Sequence, residues 1–478
     1  MATAKLQQLT ALDALFLSQE AADTPMHIGL LMFYTPADAD SGPVRFKDIL
    51  NTFSERAHSA PIFYRTVGKV PLGIDYPFWL EAQDLDIEFH VRHISLPKPG
   101  DWRQLCIQVA RLQARMVDRT RPLWEAYVIG GLDKVDFLPA GSFAILFKMH
   151  HAAVDGASAL EAIHGLHDTE PQPSKKPPAS PYQPQENPGS LTLLGQAAIN
   201  RLRSPARWLK AAQSIAPIPG RIRQGLKEQR LQSVKERHST RFNAPISSHR
   251  VVEARFFELD EVKAMKASID NVTVNDVLVT VVAGALRKYL ESKDEPLTFS
   301  PMAMIPVSFR SEDERDAGGN LVTAMSMAIH SEIEDPLERL HAVHEESLSS
   351  KGYTEAIGAR TALDLAQIIP PQIASLAMLR TGTRLMFAAG TAAPVNTVIT
   401  NVAGSQRPLY LCGAQLVACA GFGPIMDSVG LFHAIMSCNG KISIAINACR
   451  DLMPDPGFYA ECIQAAYDEL RDATIGRG

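Results

Sequence analysis

The chain has 478 residues, 46% of them hydrophobic and 21% charged, with a formal net charge of −5. That composition excludes a disordered or fibrous chain, and the mild acidity excludes a general attraction to nucleic acid. The length predicts two folded domains of roughly 150–250 residues, and no uncharged apolar run reaches the ~18 residues that span a bilayer.

The six cysteines, Cys106, Cys412, Cys419, Cys438, Cys449 and Cys462, form no CxxC pair. They read as buried reduced thiols in a cytosolic compartment. Asp13 interrupts the first apolar run, so the start does not read as a signal peptide.

Ala11, Leu12, Leu15 and Phe16 recur at helical spacing, which predicts a short helix before Pro25. His27–Tyr34 is apolar and β-rich and predicts a strand; His27, at its start, reads as a packed core histidine. Phe46, Ile49, Leu50 and Phe53 form one stripe of a helix over 46–57. The stretch 74–94 alternates as a strand would, with His90 and His93 on a half-exposed surface. Residues 101–118 form an amphipathic helix, Trp124 reads as core, and 126–130 as a strand.

The central signal is FAILFKMHHAAVDGASAL at 143–160. An apolar strand, Phe143–Met149, ends on His150 and His151, and Ala157, Leu160, Ile163 and His164 resume at helical spacing. Successive strand residues point to opposite faces, so one imidazole faces a cavity and the other faces packing. That favours one working base beside one structural partner over a two-histidine metal site. A free imidazole titrates near ~6.5 and can accept a proton from an alcohol at neutral pH. Asp155 has two readings: it caps the following helix, or it steers a histidine. Gly156 serves a tight turn or the close approach of a ligand.

Residues 169–190 are rich in Pro, Ser, Gln and Lys and read as an extended linker. Between 191 and 240, ten basic residues (Arg201, Arg203, Arg207, Lys210, Arg221, Arg223, Lys227, Arg230, Lys235, Arg237) face two acidic ones, Glu228 and Glu236. This segment is either a solvated helical hairpin between domains or a basic amphipathic surface resting on anionic lipid.

The second half opens with a strand at 251–259 and a short helix, and Thr273 caps a long apolar helix from Val274. Asp276 in its first turn suits the positive helix end, and Asn275 beside it can bond local backbone. Strands follow at 299–307 and 321–330, separated by the charged loop 311–320. His341 and His344 lie on a helix over 334–350 and read as a solvated face rather than metal ligands. Residues 354–390 read as apolar helices, and 395–402 as a strand ending in Thr400 and Asn401. Further strands are predicted at 409–419 and 440–448, and a last helix over Pro456–Arg471.

HHAAVDG at 150–156 resembles the active-site motif of the superfamily of chloramphenicol acetyltransferase and nonribosomal-peptide condensation domains. Within it, the chain is similar to the bacterial wax ester synthase/diacylglycerol acyltransferase family. The likeness is carried by LTALDALFLSQEAADTPMHIGLL at 9–31, RPLWEAYVIGGL at 121–132, VNDVLVTVVAGALRKYL at 274–290, PVSFR at 306–310, GGN at 318–320 and TNVAGSQRPLYLCGA at 400–414. Two departures stand out. Thr400-Asn401 with Ala403 replaces the usual Ser-Asn followed by Pro, and Ser437-Cys438 replaces a frequent Ser-Tyr.

The resemblance implies an α/β fold of two acetyltransferase-like lobes forming a pseudo-dimer, with a tunnel at their interface. The boundaries it suggests are 1–168, a connecting segment 169–245, and 246–478. It implies His151 as general base, His150 and Asp155 in structural roles, and Asn275, Thr400 and Asn401 as supporting groups. His27 would then line the acceptor side. The activity implied is direct transfer of a long-chain acyl group from acyl-CoA to a fatty alcohol or diacylglycerol. It needs no cofactor and no metal, and would occur at a cytoplasmic membrane face or lipid droplet reached through the basic segment. The alternatives are transfer to another hydroxyl or amine, transfer from a carrier protein, and a non-catalytic lipid-droplet coat. No GxSxG elbow is present, which argues against a serine acyl-enzyme.

Overall fold

The computed structural model describes residues 6–36, 43–154, 156–172, 184, 186–202, 238–308, 322–357 and 395–476. Asp155, most of the Pro-rich linker, the basic segment from 203 to 237, the loop 311–320 and the helices predicted over 358–390 lie outside the described residues.

The first half runs α1 (Ala11–Gln19), β1 (His27–Pro36), α2 (Phe46–Arg56), β2 (Arg65–Gly68), β3 (Phe78–Glu81), α3 (Ile87–His90), β4 (Val91–Ser95), α4 (Trp102–Gln113), β5 (Trp124–Gly130), β6 (Phe143–His150), α5 (Gly156–Leu166) and α6 (Ser190–Leu202). The second half adds β7 (Arg250–Glu258), α7 (Leu259–Ala267), α8 (Val274–Glu291), β8 (Met302–Ser308), β9 (Val322–Ala328), α9 (Pro336–Ile357), β10 (Thr397–Ala403), β11 (Tyr410–Leu411), β12 (Ala414–Phe422), β13 (Leu431–Cys438), β14 (Lys441–Cys449) and α10 (Pro456–Thr474).

Two large sheets result, in the orders β11-β12-β1-β6-β5-β4 and β7-β14-β13-β10-β8-β9. β1 lies antiparallel between β6 and β12. Two strands of the second half therefore complete the sheet that the first half founds. β12 and β13 are consecutive in the chain yet belong to different sheets, so the boundary near residue 245 divides the sequence but not the sheets.

The central strands are buried on both faces, which is why their sequences are near-continuous apolar runs rather than alternating ones. In β1, Leu30, Met32 and Tyr34 join one core with α2 and α5. Leu31 and Phe33 join another core, with α4 and residues of β7 and β14. A further cluster joins the halves: Phe16, Met26 and Ala152 pack with Val398, Ile425, Met426, Phe432 and Ala434. Each fully buried aliphatic or aromatic side chain is worth about 1.5–3 kcal/mol, so these shared cores couple the two sheets.

Several predictions from sequence are corrected. The strand expected over 74–94 breaks into β3, α3 and β4, because the Asp86 carboxylate accepts Phe89 N–H and starts a helical turn. His90 is not on a half-exposed surface: it is 1% exposed, stacks on Trp124 at 4.4 Å, and its Nδ1 lies 2.7 Å from the Trp124 carbonyl. The strand predicted at 409–419 is two strands, because Cys412 and Gly413 both adopt positive φ and form a tight turn. β13 was not predicted; with all eight residues buried, LFHAIMSC carries no period of two.

Candidate active site

Along β6, Phe143, Ile145, Phe147 and Met149 face one core, while Ala144 and Leu146 face the other. Period two then puts Lys148 and His150 on the second face. His150 is fully buried, directly across from His27 in the β1–β6 register. Its Nδ1 accepts Ala152 N–H at 3.0 Å, which leaves the proton on Nε2, 3.5 Å from the Glu20 carboxylate. His150 is thus clamped between a turn and an acid.

His151 lies one residue beyond the strand and is half-buried. Its backbone N–H donates to the Met26 carbonyl at 2.8 Å. Its ring stacks on Phe16 at 4.2 Å with an interplanar angle of 12°. Phe16 belongs to the apolar cluster shared by the two halves, so the His151 ring borders that seam. His150 is thus packed while His151 borders the seam, and because His151 lies past the end of β6 its direction is set by the turn rather than by strand alternation.

Glu20 escaped the sequence reading because nothing in its spacing marks it. Its side chain is 1% exposed and accepts Met26 N–H at 3.1 Å and Arg119 Nε at 2.7 Å, with His150 Nε2 3.5 Å away. Burial alone would raise this carboxyl, but His150, Arg119 and Met26 outweigh it and hold the pKa below the ordinary value. Because Met26 in turn accepts from His151, Glu20 ties both histidines to the loop after α1.

His27 is 1% exposed, in keeping with a packed histidine. Burial first, then the neighbouring Lys148 and His150, push its pKa well below the ordinary range. The ring is therefore neutral. Among the described residues neither ring nitrogen has a hydrogen-bond partner, while the Gln113 backbone works in the opposite direction on the pKa. Lys148, fully buried, donates to the Arg115 carbonyl at 2.6 Å and lies 3.5 Å from Glu125. Burial pushes its pKa down to about 8.

The second half brings Asn275 and Asn401 together. Asn275 sits in the first turn of α8, which Thr273 caps as predicted, with Asp276 completing a capping box, and its Oδ1 accepts from Asn401 Nδ2 at 3.2 Å. In β10, Val398 belongs to the shared seam and Ile399 to the core around α8. Alternation therefore turns Thr400 toward the seam and Asn401 toward α8. The Thr400 hydroxyl donates to the His433 carbonyl at 3.4 Å. Gly156 opens α5.

His344 corrects the expectation of a solvated face. Its Nδ1 lies 2.9 Å from Asp276 Oδ2, and the two side chains are 14% and 1% exposed. Farther along α8, a polar cavity of about 610 Å³ is lined by Gly284, Arg287, Glu291, Glu334, Arg339 and Glu469. Its charges largely pair with one another, as in Arg287–Glu291 at 2.8 Å, and it holds none of the residues above. Among the described residues there is no group of three or more side chains fit to hold a metal ion, and no helix long and apolar enough to cross a membrane.

Comparison with known proteins bears on this arrangement. A family model described as the wax ester synthase/diacylglycerol acyltransferase catalytic domain matches residues 9–278, and the corresponding C-terminal domain matches residues 318–471. A Mycobacterium tuberculosis protein is 31% identical over 98% of this chain and 100% of its own length. A Mycobacterium bovis protein is 30% identical over 97% of this chain and 98% of its own. Both carry the name putative diacylglycerol O-acyltransferase. Among solved structures, the wax ester synthase/diacylglycerol acyltransferase of Marinobacter aquaeolei VT8 superposes with a TM-score of 0.69 at 24% identity, covering 98% of this chain and 100% of that one. The first condensation domain of the CDA synthetase gives 0.57 at 12% identity, covering 98% and 97%.

Proposed function

The chain belongs to the wax ester synthase/diacylglycerol acyltransferase family, a family of acyltransferases, and from that membership we propose that it moves a long-chain acyl group from acyl-CoA to a lipid alcohol with His151 as general base. The observation that carries the proposal is the setting of His151. Its ring is held by Phe16 on one side, its backbone by Met26, and it borders an apolar seam between the two halves.

His151 Nδ1 is buried, so Nε2 is the nitrogen offered to the acceptor. Nε2 takes the hydroxyl proton as the oxygen attacks the thioester carbonyl. The new C–O bond forms, a tetrahedral oxyanion develops, and its collapse breaks the C–S bond. The proton on Nε2 then passes to the leaving thiolate, giving the ester and free CoA. Each aimed donor at the oxyanion is worth about 3 kcal/mol; we assign that role to Thr400, whose hydroxyl would turn from the His433 carbonyl, and to Asn275. His150 keeps the strand end in register and does not exchange protons with substrate. Neutral His27 flanks the acceptor side.

The acceptor is a fatty alcohol, giving a wax ester, or diacylglycerol, giving triacylglycerol. We assign the reaction to a membrane or lipid-droplet surface facing the cytoplasm. Support comes from α6, which exposes Leu191, Ile199 and Leu202, and from the neighbouring turn, which exposes Leu72. The chain then continues into the basic run beginning at Arg201. Purified protein given radiolabelled palmitoyl-CoA with hexadecanol, and separately with dioleoylglycerol, tests the reading. Label in wax ester or triacylglycerol identifies the acceptor. No transfer to either, with liposome binding retained, would refute the enzymatic reading in favour of a lipid-droplet coat.

A further inference from the structure

α8 presents Asn275 from its first turn, and the next residue, Asp276, anchors that turn to a different helix. Asp276 is 1% exposed, yet only one of its oxygens is occupied. Oδ2 accepts Thr273 N–H at 2.9 Å and the His344 Nδ1 proton at 2.9 Å, while Oδ1 has no hydrogen-bond partner among the described residues. The backbone of the same residue is engaged as well, because its carbonyl accepts the Thr280 hydroxyl at 2.7 Å. A capping box alone needs only Thr273 and Asp276. It gives no reason to seat a carboxylate where one oxygen goes unsatisfied, an arrangement that costs stability. What the arrangement gains is a charge-assisted bond from α9 to the first turn of α8. Directly beside it, Asn275 meets Asn401 at 3.2 Å.

We infer that His344 is a positioning residue for acyl transfer: through Asp276 it fixes the first turn of α8 and so the direction in which Asn275 and Asn401 are presented. This rests on the proposal that the Asn275–Asn401 pair belongs to the reaction centre. His344 touches no substrate. It acts on orientation, so its loss lowers turnover while ground-state binding of the acyl chain, governed by apolar contacts elsewhere, stays.

The test compares His344→Ala, His344→Asn, Asn275→Ala and the double variant His344→Ala/Asn275→Ala. Each variant is checked for folding by thermal melting and assayed with palmitoyl-CoA and hexadecanol. A misplaced donor costs on the order of tenfold to a hundredfold in rate. We expect His344→Ala to lose at least about tenfold in kcat with KM changed by less than about twofold. His344→Asn, whose amide nitrogen can stand where Nδ1 stood, recovers most of the lost turnover. In the Asn275→Ala background, His344→Ala adds little, because both changes act through one group.

The inference is overturned by parental kcat in His344→Ala, by His344→Asn as slow as the alanine variant, or by fully multiplicative losses in the double variant. Should His344→Ala not fold, His344→Asn decides alone: near-parental turnover supports the role, and tenfold loss with normal melting overturns it. Parental kcat in Asn275→Ala overturns the placement of the reaction centre itself. An impaired Asn275→Ala beside an unimpaired His344→Ala overturns only the role given to His344.

Discussion

Replacing Glu20 by Gln removes one charge and changes almost no volume, so its effect isolates the acid that holds both histidines. Met26 N–H and Arg119 Nε donate to the carboxylate, and His150 Nε2 faces it at 3.5 Å. A glutamine offers one oxygen and presents an NH2 in place of the other. If the amide oxygen stays with Met26 and His150, the NH2 faces the Arg119 guanidinium, donor against donor; flipped, it faces His150 and Met26. At least one donor is left without its acceptor, at about 1–3 kcal/mol. Arg119 is 39% exposed and can turn to water, which favours the first arrangement and the lower half of that range. The strain falls on the loop whose Met26 carbonyl accepts from His151. If about 1.4 kcal/mol reaches the transition state, kcat/KM falls about tenfold.

The assay is acyl transfer from palmitoyl-CoA to hexadecanol, read beside melting curves between pH 3 and 8. The pH dependence has a fixed sign. The folded-state pKa of Glu20 lies below its reference value of 4.5, so the stabilisation is complete above that value and is lost as pH falls through the folded one. The stability gap between the parent and Glu20→Gln therefore narrows in acid. Parental kcat/KM in the variant, together with a gap that stays constant from pH 7 to pH 3, would refute the claim that this carboxylate organises the site.

Further outcomes follow from the same geometry. His151→Ala is expected to fold normally and to lose at least about a hundredfold in turnover, the range assigned to general-base catalysis; transfer at the parent rate would end the proposed chemistry. Phe16→Ala removes the ring on which His151 stacks, and we expect kcat to fall more than the melting temperature implies, measured as kcat per folded enzyme. Glu253 responds to pH in the opposite sense to Glu20. Burial raises its pKa against the hydrogen bonds it accepts, and the donors from Trp102, Cys106 and Ala254 all use a single oxygen, which an amide retains. Glu253→Gln should match the parent in acid and gain relative stability as pH rises from the reference value of 4.5 through the folded pKa, as read by differential scanning fluorimetry. Leu72→Asp with Leu202→Asp is expected to weaken binding to phosphatidylglycerol vesicles while transfer in detergent stays at the parent rate. So is neutralising Arg201, Arg203, Arg207 and Lys210; vesicle binding unchanged in both would remove the basis for surface docking.

Much of the architecture was readable residue by residue. The helix over 46–57, the apolar strands His27–Tyr34 and Phe143–Met149, and the Thr273 cap all rest on periods of two and 3.6 or on a capping pattern. These are properties of the local backbone and need no knowledge of neighbours. The ordered motifs around HHAAVDG likewise pointed to the family before any contact was seen. Where the local signal vanished, the reading failed: β13 is buried on every side and shows no alternation. His90 and His344 looked like surface residues because their partners, the Trp124 ring and the Asp276 carboxylate, are supplied by other elements.

What only the tertiary structure decided is which distant groups meet. Glu20 and Arg119 are 99 residues apart in sequence and Asn275 and Asn401 126 apart, and neither pairing leaves a trace in spacing. The addition of β12 and β11 to the β1 edge of the first sheet is of the same kind. A sequence sets the conformations a segment prefers. The neighbour that completes its hydrogen bonds, buries its charge or turns its imidazole toward a seam is chosen only when the whole chain closes on itself.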